Sequence, residues 1–123
     1  PEADAQLSTS YELRLPLIWT GLLSRRLQTS FAVSGGVNSG EDVVRCLLAG
    51  ADVAMVTSAL LRHGSGFLST MLAEMQAWME ARSVESVAAF KGQLAAHGTA
   101  QAAETFLRDQ YRRILSSTPA FGQ

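Results

Sequence analysis

The 123-residue chain is 47% hydrophobic and carries 10 Lys and Arg against 11 Asp and Glu. That supplies one domain's core and excludes the positive field that draws proteins to nucleic acid or an anionic membrane. The single cysteine, Cys46, excludes an internal disulfide, and no segment reads as a signal peptide or membrane span, so a reducing cytoplasm is the expected setting.

In chain order, Pro1 to Ser10 shows no apolar periodicity and is expected to be flexible. Because the chain opens on proline rather than methionine, either its start was trimmed or something upstream is missing. Leu13 to Leu27 sets Leu13, Leu17, Ile18, Gly21, Leu22 and, with a shift, Leu27 near helical spacing, with Pro16 in the first turn, where a missing N–H costs nothing. Thr29 to Val33 ends apolar against Ser34-Gly35-Gly36, the signal of a short buried strand. Ser39 is placed to N-cap a helix with Asp42 three residues on, Val43, Cys46 and Leu47 facing inward, and Gly50 as its stop. Asp52 to Val56 is a second short apolar run. Strand, helix and strand with tight loops make a βαβ unit with parallel strands and a right-handed crossover.

Ser58 to Arg62 predicts a short helix ahead of Gly64-Ser65-Gly66, and Leu68, Met71, Leu72, Met75, Trp78 and Met79 then repeat with the period of a longer one. A further helix from about Ser86 to Leu94 is expected to bury Val87, Phe90 and Leu94, with Gly98 breaking it. Thr99 caps a last helix with Ala103, Phe106, Gln110 or Tyr111, Ile114 and Leu115 on one face and Arg108, Arg112 and Arg113 solvated. The fold class is α/β: a partial (β/α) barrel fragment with two parallel strands and about five helices, its C-terminal part all helical. As one domain it divides into a flexible start at 1–10, the last βα units of a barrel at 11–82 and a helical extension at 83–118. Two parallel strands leave both outer edges unpaired, so a homo-oligomer or a second chain that supplies the rest of a barrel is the expected partner.

The chemistry concentrates between Ser30 and Gly64. In barrels, the loops after the last two strands, with the start of a short extra helix, commonly form a phosphate site. Gly35 and Gly36 let backbone N–H groups approach an anion without a Cβ in the way, the first amides of Ser58 to Arg62 point to the same place, and the hydroxyls of Thr57 and Ser58 add donors. A Gly-Gly turn between strand and helix is as readily only a loop. Two donor-rich loops separated by one βα unit favour a site for a phosphate-bearing small molecule. A bulky residue at Gly36 separates the readings: loss of ligand without loss of fold marks a binding loop, and no effect marks a structural one.

Other residues read more simply. Cys46 lies on the apolar stripe as a small buried hydrophobe rather than a nucleophile. His63 either contacts a ligand or closes its helix against the dipole, the second being favoured, and His97 reads as a surface cap. No Cys/His spacing suggests zinc. The Met71, Met75, Trp78 and Met79 stripe is core, with a partner groove as the alternative. Arg25-Arg26 and Arg112-Arg113 read as solvated ends.

The run Ser34-Gly35-Gly36-Val37-Asn38-Ser39-Gly40-Glu41-Asp42-Val43-Val44, then Leu47 to Val53 and Thr57 to Gly64, resembles the C-terminal part of the dihydroorotate dehydrogenase family, and more narrowly its dihydroorotate dehydrogenase-like branch. Leu7-Ser8 with Leu13 to Leu17 is similar to that family's approach to its sixth barrel helix. Glu85 to Val87, Lys91-Gly92, Phe106, Arg108 and Tyr111 are similar to its tail, so the likeness runs from about Leu7 to Leu115. The resemblance implies an FMN-binding TIM barrel that oxidises a dihydropyrimidine or related substrate, with Gly35, Gly36, Thr57 and Ser58 holding the FMN phosphate mainly through backbone N–H groups. Thr57 departs from the glycine usual in the orotate-making enzymes. The family's flavin-contacting lysine, substrate-gripping asparagines and cysteine or serine base precede position 7 in family order and have no counterpart here. The implied function is therefore phosphate or FMN binding at most, without dehydrogenase activity in this chain alone. The alternatives are a non-enzymatic α/β fragment that self-associates and a small phosphate-ligand binding protein.

Overall fold

The computed structural model describes residues 6–95 and 100–117, which run α1 (Arg14–Leu23), β1 (Ala32–Val33), α2 (Gly40–Ala49), β2 (Val53–Ala54), α3 (Ser58–His63), α4 (Phe67–Glu80), α5 (Val87–Phe90) and α6 (Ala100–Ser117). The two strands pair in parallel, Ala32 opposite Val53 and Val33 opposite Ala54, and form a partial α/β unit with the helices. Each strand is two residues long, shorter than its apolar run. The pairing ends where partners end: the Asp52 and Val53 N–H groups donate to the Phe31 carbonyl and that of Met55 to Val33, with no third strand beside them among the described residues.

The crossover helix α2 is the centre of the unit, and its ends are set by local chemistry. Ser39 is extended, and its Oγ accepts the Asp42 N–H at 3.1 Å, which satisfies one of the orphan donors of the first turn. Gly50, with φ 106°, ends the helix and returns its N–H to the Cys46 and Leu47 carbonyls. Burial runs wider than the predicted Val43, Cys46 and Leu47 stripe, because α2 is covered on two flanks. One flank puts Cys46 with Leu13, Val33, Val37, Ala51 and Met71. The other puts Val44 and Leu47 against Phe90, with Met75, Trp78 and Met79 packed around them.

That arrangement corrects two expectations. On α4, Met71 is buried and Met75, Trp78 and Met79 are half-buried, as core residues, but Leu68 and Leu72 face solvent, because α2 covers only one side of the helix. The helix expected to reach Leu94 ends at Phe90: Gly92 and Leu94 donate their N–H groups to the Leu47 and Leu48 carbonyls. Residues 91–95 thus satisfy the last turn of α2 instead of prolonging α5, and Leu94 is left exposed. Arg25, read as a solvated end, donates to the Gly92 carbonyl at 3.1 Å. Lys91 pairs with Asp52, which also accepts the Phe31 N–H at 2.8 Å; the Lys91 bond, then the Phe31 bond, hold the Asp52 carboxyl below its ordinary range.

Arg108, Arg112 and Arg113 are exposed on α6, and Arg108 pairs with Glu104. The predicted roles of Pro1 to Ala5, His97, Gly98 and Thr99, and of the side chains of Ala103, Phe106, Gln110, Ile114 and Leu115, lie outside the described residues. No helix among the described residues is long and apolar enough to cross a membrane.

Cys46 is fully buried, and burial first, then the Asp42 carboxylate, pushes its thiol up to about 12. The thiolate is the reactive form, so the folded protein at about pH 8 should resist iodoacetamide while the urea-unfolded chain is alkylated completely. Equal labelling rates in the two states would contradict the buried placement.

Candidate functional site

The site begins with a segment that carries no secondary-structure signal. Leu13, almost fully buried, anchors residues 7–13 against Val33 and Val37 at the end of β1. Just before it, Glu12 closes a turn by accepting from the Thr9 N–H at 2.6 Å and the Thr9 hydroxyl at 2.5 Å. Those bonds, with a smaller contribution from the Arg62 charge, hold the Glu12 carboxyl below its ordinary range. Residues 7–10, expected to belong to a flexible start, are hydrogen-bonded to the rest of the fold. From Leu7 to Leu13 the chain is a strap bonded to the body.

The strap gives the two glycines different reasons for being glycine. Gly36 has φ 82°, and a Cβ on it would lie 2.4 Å from the Leu13 nitrogen and 2.8 Å from the Thr9 carbonyl oxygen. Gly35 has φ 85° but open space around the same position. Both need the left-handed region that other residues enter at a cost, and only Gly36 is pressed against backbone.

Ser8 then joins the two loops. The Gly36 N–H donates to Ser8 Oγ at 3.1 Å, the Ser8 N–H donates to Ser58 Oγ at 3.0 Å, and the two hydroxyls lie 2.9 Å apart. Gly36 therefore does not offer its N–H to open space as expected. One of the two hydroxyl hydrogens is consumed in the Ser8–Ser58 contact, and the other is left for a further acceptor.

Gly35, Gly36, Thr57 and Ser58, the residues expected from sequence, all line one pocket of about 110 Å³, together with Ser8, Ser34, Val37 and Met55. It opens at the carboxyl ends of both strands, where open α/β sheets place their ligands. The hydroxyls of Ser34 and Thr57 have no protein partner among the described residues. Among the described residues no acid, base or cysteine lines the pocket, so the lining groups described can donate hydrogen bonds but form neither a nucleophile–base pair nor a general acid.

Ser34 and Ser8 are the hydroxyl-bearing lining residues that sequence reasoning did not assign to the site; Ser34 adjoins Gly35 and could have been included, whereas nothing local points to Ser8. Ser8 lies 50 residues from Ser58, and no periodicity connects them. His63 is not in the lining: it is exposed in the last turn of α3, its ring 4.6 Å from that of Phe67. Among the described residues no three His, Cys, Asp or Glu gather as a metal site.

The fold and the pocket together define a class: a partial α/β unit that presents an uncharged, hydroxyl-rich cleft at the ends of two parallel strands. No family model matches the chain. Over 58 residues it is 29% identical to "Dihydropyrimidine dehydrogenase (NADP(+)), chloroplastic" of Arabidopsis thaliana, a match that takes in 47% of this chain and 14% of that protein. The chain thus corresponds to a small part of that relative, and the likeness is a loose link to an oxidoreductase.

Proposed function

We propose that this chain is a phosphate-binding α/β module descended from the C-terminal part of an FMN-dependent, dihydroorotate dehydrogenase-like oxidoreductase, and that it takes the phosphate end of FMN or a similar phosphate monoester. The observation that carries the reading is the convergence of the loops 34–36 and 57–58 on one cleft with unpartnered hydroxyls. The size of the cleft supports a partial site. About 110 Å³ accommodates a tetrahedral oxyanion, whereas pockets that enclose a whole drug-sized ligand run from about 300 to 1,000 Å³.

In this reading Ser34, Thr57 and whichever of Ser8 and Ser58 keeps its proton donate to phosphate oxygens, while Gly35 leaves the backbone open to them. Neutral donors hold a dianion without placing a formal cation beside it, as backbone and hydroxyl cradles do elsewhere. Bound FMN would supply hydride and electron transfer at its ring. The lining residues do no more than hold its phosphate. A second chain would have to bring the groups that grip substrate and move its proton, and the setting we infer is cytoplasmic.

A second reading, a structural fragment that associates with itself, is favoured by one observation. Val53 of β2 and Met55, the residue after the strand and part of the pocket lining, are 52% and 51% exposed, apolar surface at the sheet without a cover among the described residues.

Titration of the purified chain with FMN, followed by flavin fluorescence with inorganic phosphate as competitor, separates the two. The Gly35→Asn and Gly35→Asp variants sharpen it, because both side chains tolerate positive φ and differ mainly in charge. We expect saturable, phosphate-competed binding in the wild type, a modest change in the Asn variant, and at least about tenfold weaker binding in the Asp variant, from one repelling charge beside a dianion. No saturation up to millimolar FMN, or identical affinities for the two variants, would refute phosphate binding and leave the structural reading.

A further inference from the structure

Nothing in the strand–helix frame obliges residues 7–13 to lie across the loop after β1, yet one wall of the pocket depends on their doing so. The strap's packed anchor is Leu13, and Ser8, which lines the pocket, is five residues before it. Its hydroxyl contacts with Gly36 and Ser58 are neutral and close to the pocket mouth, where water competes for them. Asp42 holds the strap at Ser10, two residues further on, and the Leu7–Ser8 end has a hold of its own.

Arg62, in the last turn of α3, reaches back over that end of the strap. Its Nη1 donates to Asn38 Oδ1 at 2.9 Å and its Nη2 to the Leu7 carbonyl at 3.0 Å. Asn38 completes the link, with its Nδ2 directed to the Ser8 carbonyl at 3.4 Å and its own N–H donating to Asp42 Oδ2 at 3.0 Å. The guanidinium therefore ties three segments: α3, the loop between β1 and α2 at Asn38, and the strap at the Leu7 carbonyl, while Asn38 itself holds the Ser8 carbonyl. Arg62 does not line the pocket. Its two donors are engaged in a fork between a side-chain amide and a backbone carbonyl, a geometry that a planar guanidinium provides and an ammonium does not.

We propose that Arg62 is the positioning residue of the pocket: through Asn38 and Leu7 it clasps the strap and so holds the Ser8 hydroxyl at the wall facing the ligand. The proposal rests on the phosphate-binding reading for its ligand, but the clasp itself is independent of it. A rival role for Arg62, supplying positive charge that attracts the anion, predicts that lysine would serve as well as arginine. The clasp predicts that it would not.

The test compares the wild-type chain with Arg62→Ala and Arg62→Lys, with inorganic phosphate as the titrant in calorimetry and amide hydrogen exchange as the second readout. The Ser8 and Gly36 amides report the strap directly, since each donates across it. Loss of a charge-assisted fork should speed exchange at both amides by about tenfold or more and weaken phosphate binding by a similar factor, in the Lys variant nearly as much as in the Ala variant. Amides within α2 should keep wild-type protection. Exchange and phosphate affinity both within about twofold of wild type in Arg62→Ala would overturn the proposal, as would full rescue by lysine. So would loss of the whole unfolding transition in Arg62→Ala, because that would make Arg62 a determinant of the fold and not of one wall. If the wild type itself does not bind phosphate, the binding reading fails. The positioning role at a phosphate site then fails with it, while the exchange data still report whether the clasp holds the strap.

Discussion

Replacing Asp42 with alanine should destabilise the protein by about 3 kcal/mol, with a thermal midpoint lowered by roughly 10 °C or more. Asp42 is 2% exposed, and its Oδ2 accepts from both the Asn38 N–H and the Ser10 hydroxyl at 3.0 Å. These two bonds fasten the loop after β1 and the strap to the first turn of α2. Arg45 approaches Oδ1 at 3.3 Å, but its side chain is half in solvent, so this ion pair contributes little. In the alanine variant the Asn38 N–H loses its acceptor in a part-buried position, which costs more than the bond itself had contributed. The Ser39 cap survives, because it uses the Asp42 N–H and not its carboxylate. Helix α2 should therefore form normally while the strap and loop separate from it. Asparagine at 42 keeps one acceptor and should lose about half as much. Urea unfolding of the three proteins is the measurement. A loss below about 1 kcal/mol in the alanine variant would show that water replaces the carboxylate easily and that the strap is held elsewhere.

Gly36→Val is the second large effect, expected at about 3 kcal/mol or above, while Gly35→Ala should cost only about 1 to 2 kcal/mol. Both positions have positive φ, so both variants bear a backbone penalty. At Gly36 a Cβ also falls within 2.4 Å of the Leu13 nitrogen and 2.8 Å of the Thr9 carbonyl oxygen, atoms that cannot turn aside as a side chain can. The strap would have to lift, taking Leu13 out of the core it shares with Val33, Val37 and Met71. A bulky residue at Gly36 thus removes stability and ligand together, contrary to the sequence-based expectation that it would separate them. Gly35, with open space beside it, is the position that does so. Equal unfolding free energies for the two variants would refute the close approach of the strap.

Elements whose signals are local were legible in the sequence. The Ser39 cap, the Gly50 stop and the apolar runs on either side of α2 identify a strand–helix–strand unit, because a cap, a left-handed glycine and a short apolar run each act within a few residues. The long period from Met71 to Met79 marks α4 for the same reason. The choice of Gly35, Gly36, Thr57 and Ser58 as neighbours was also legible, since the loops at the carboxyl ends of paired parallel strands must lie side by side.

What covers an element is a different kind of fact. Leu68 and Leu72 obey the helical period of α4 and still face solvent, because α2 covers only one flank of that helix. The helix that should have run to Leu94 yields to the unpaired carbonyls of Leu47 and Leu48, which are neighbours only in space. The strap, with Ser8 on Gly36 and Ser58, Ser10 on Asp42 and Leu7 under Arg62, has no pattern of its own; its partners lie 28, 50, 32 and 55 residues along the chain. Periodicity and caps describe how a segment meets its own backbone and a generic apolar environment. They determined the elements of this protein and which loops lie together. Which donors of those loops remain open to a ligand, and which are closed by Ser8, was decided only when distant segments packed, because a hydrogen bond across the fold depends on a distance that no local pattern encodes.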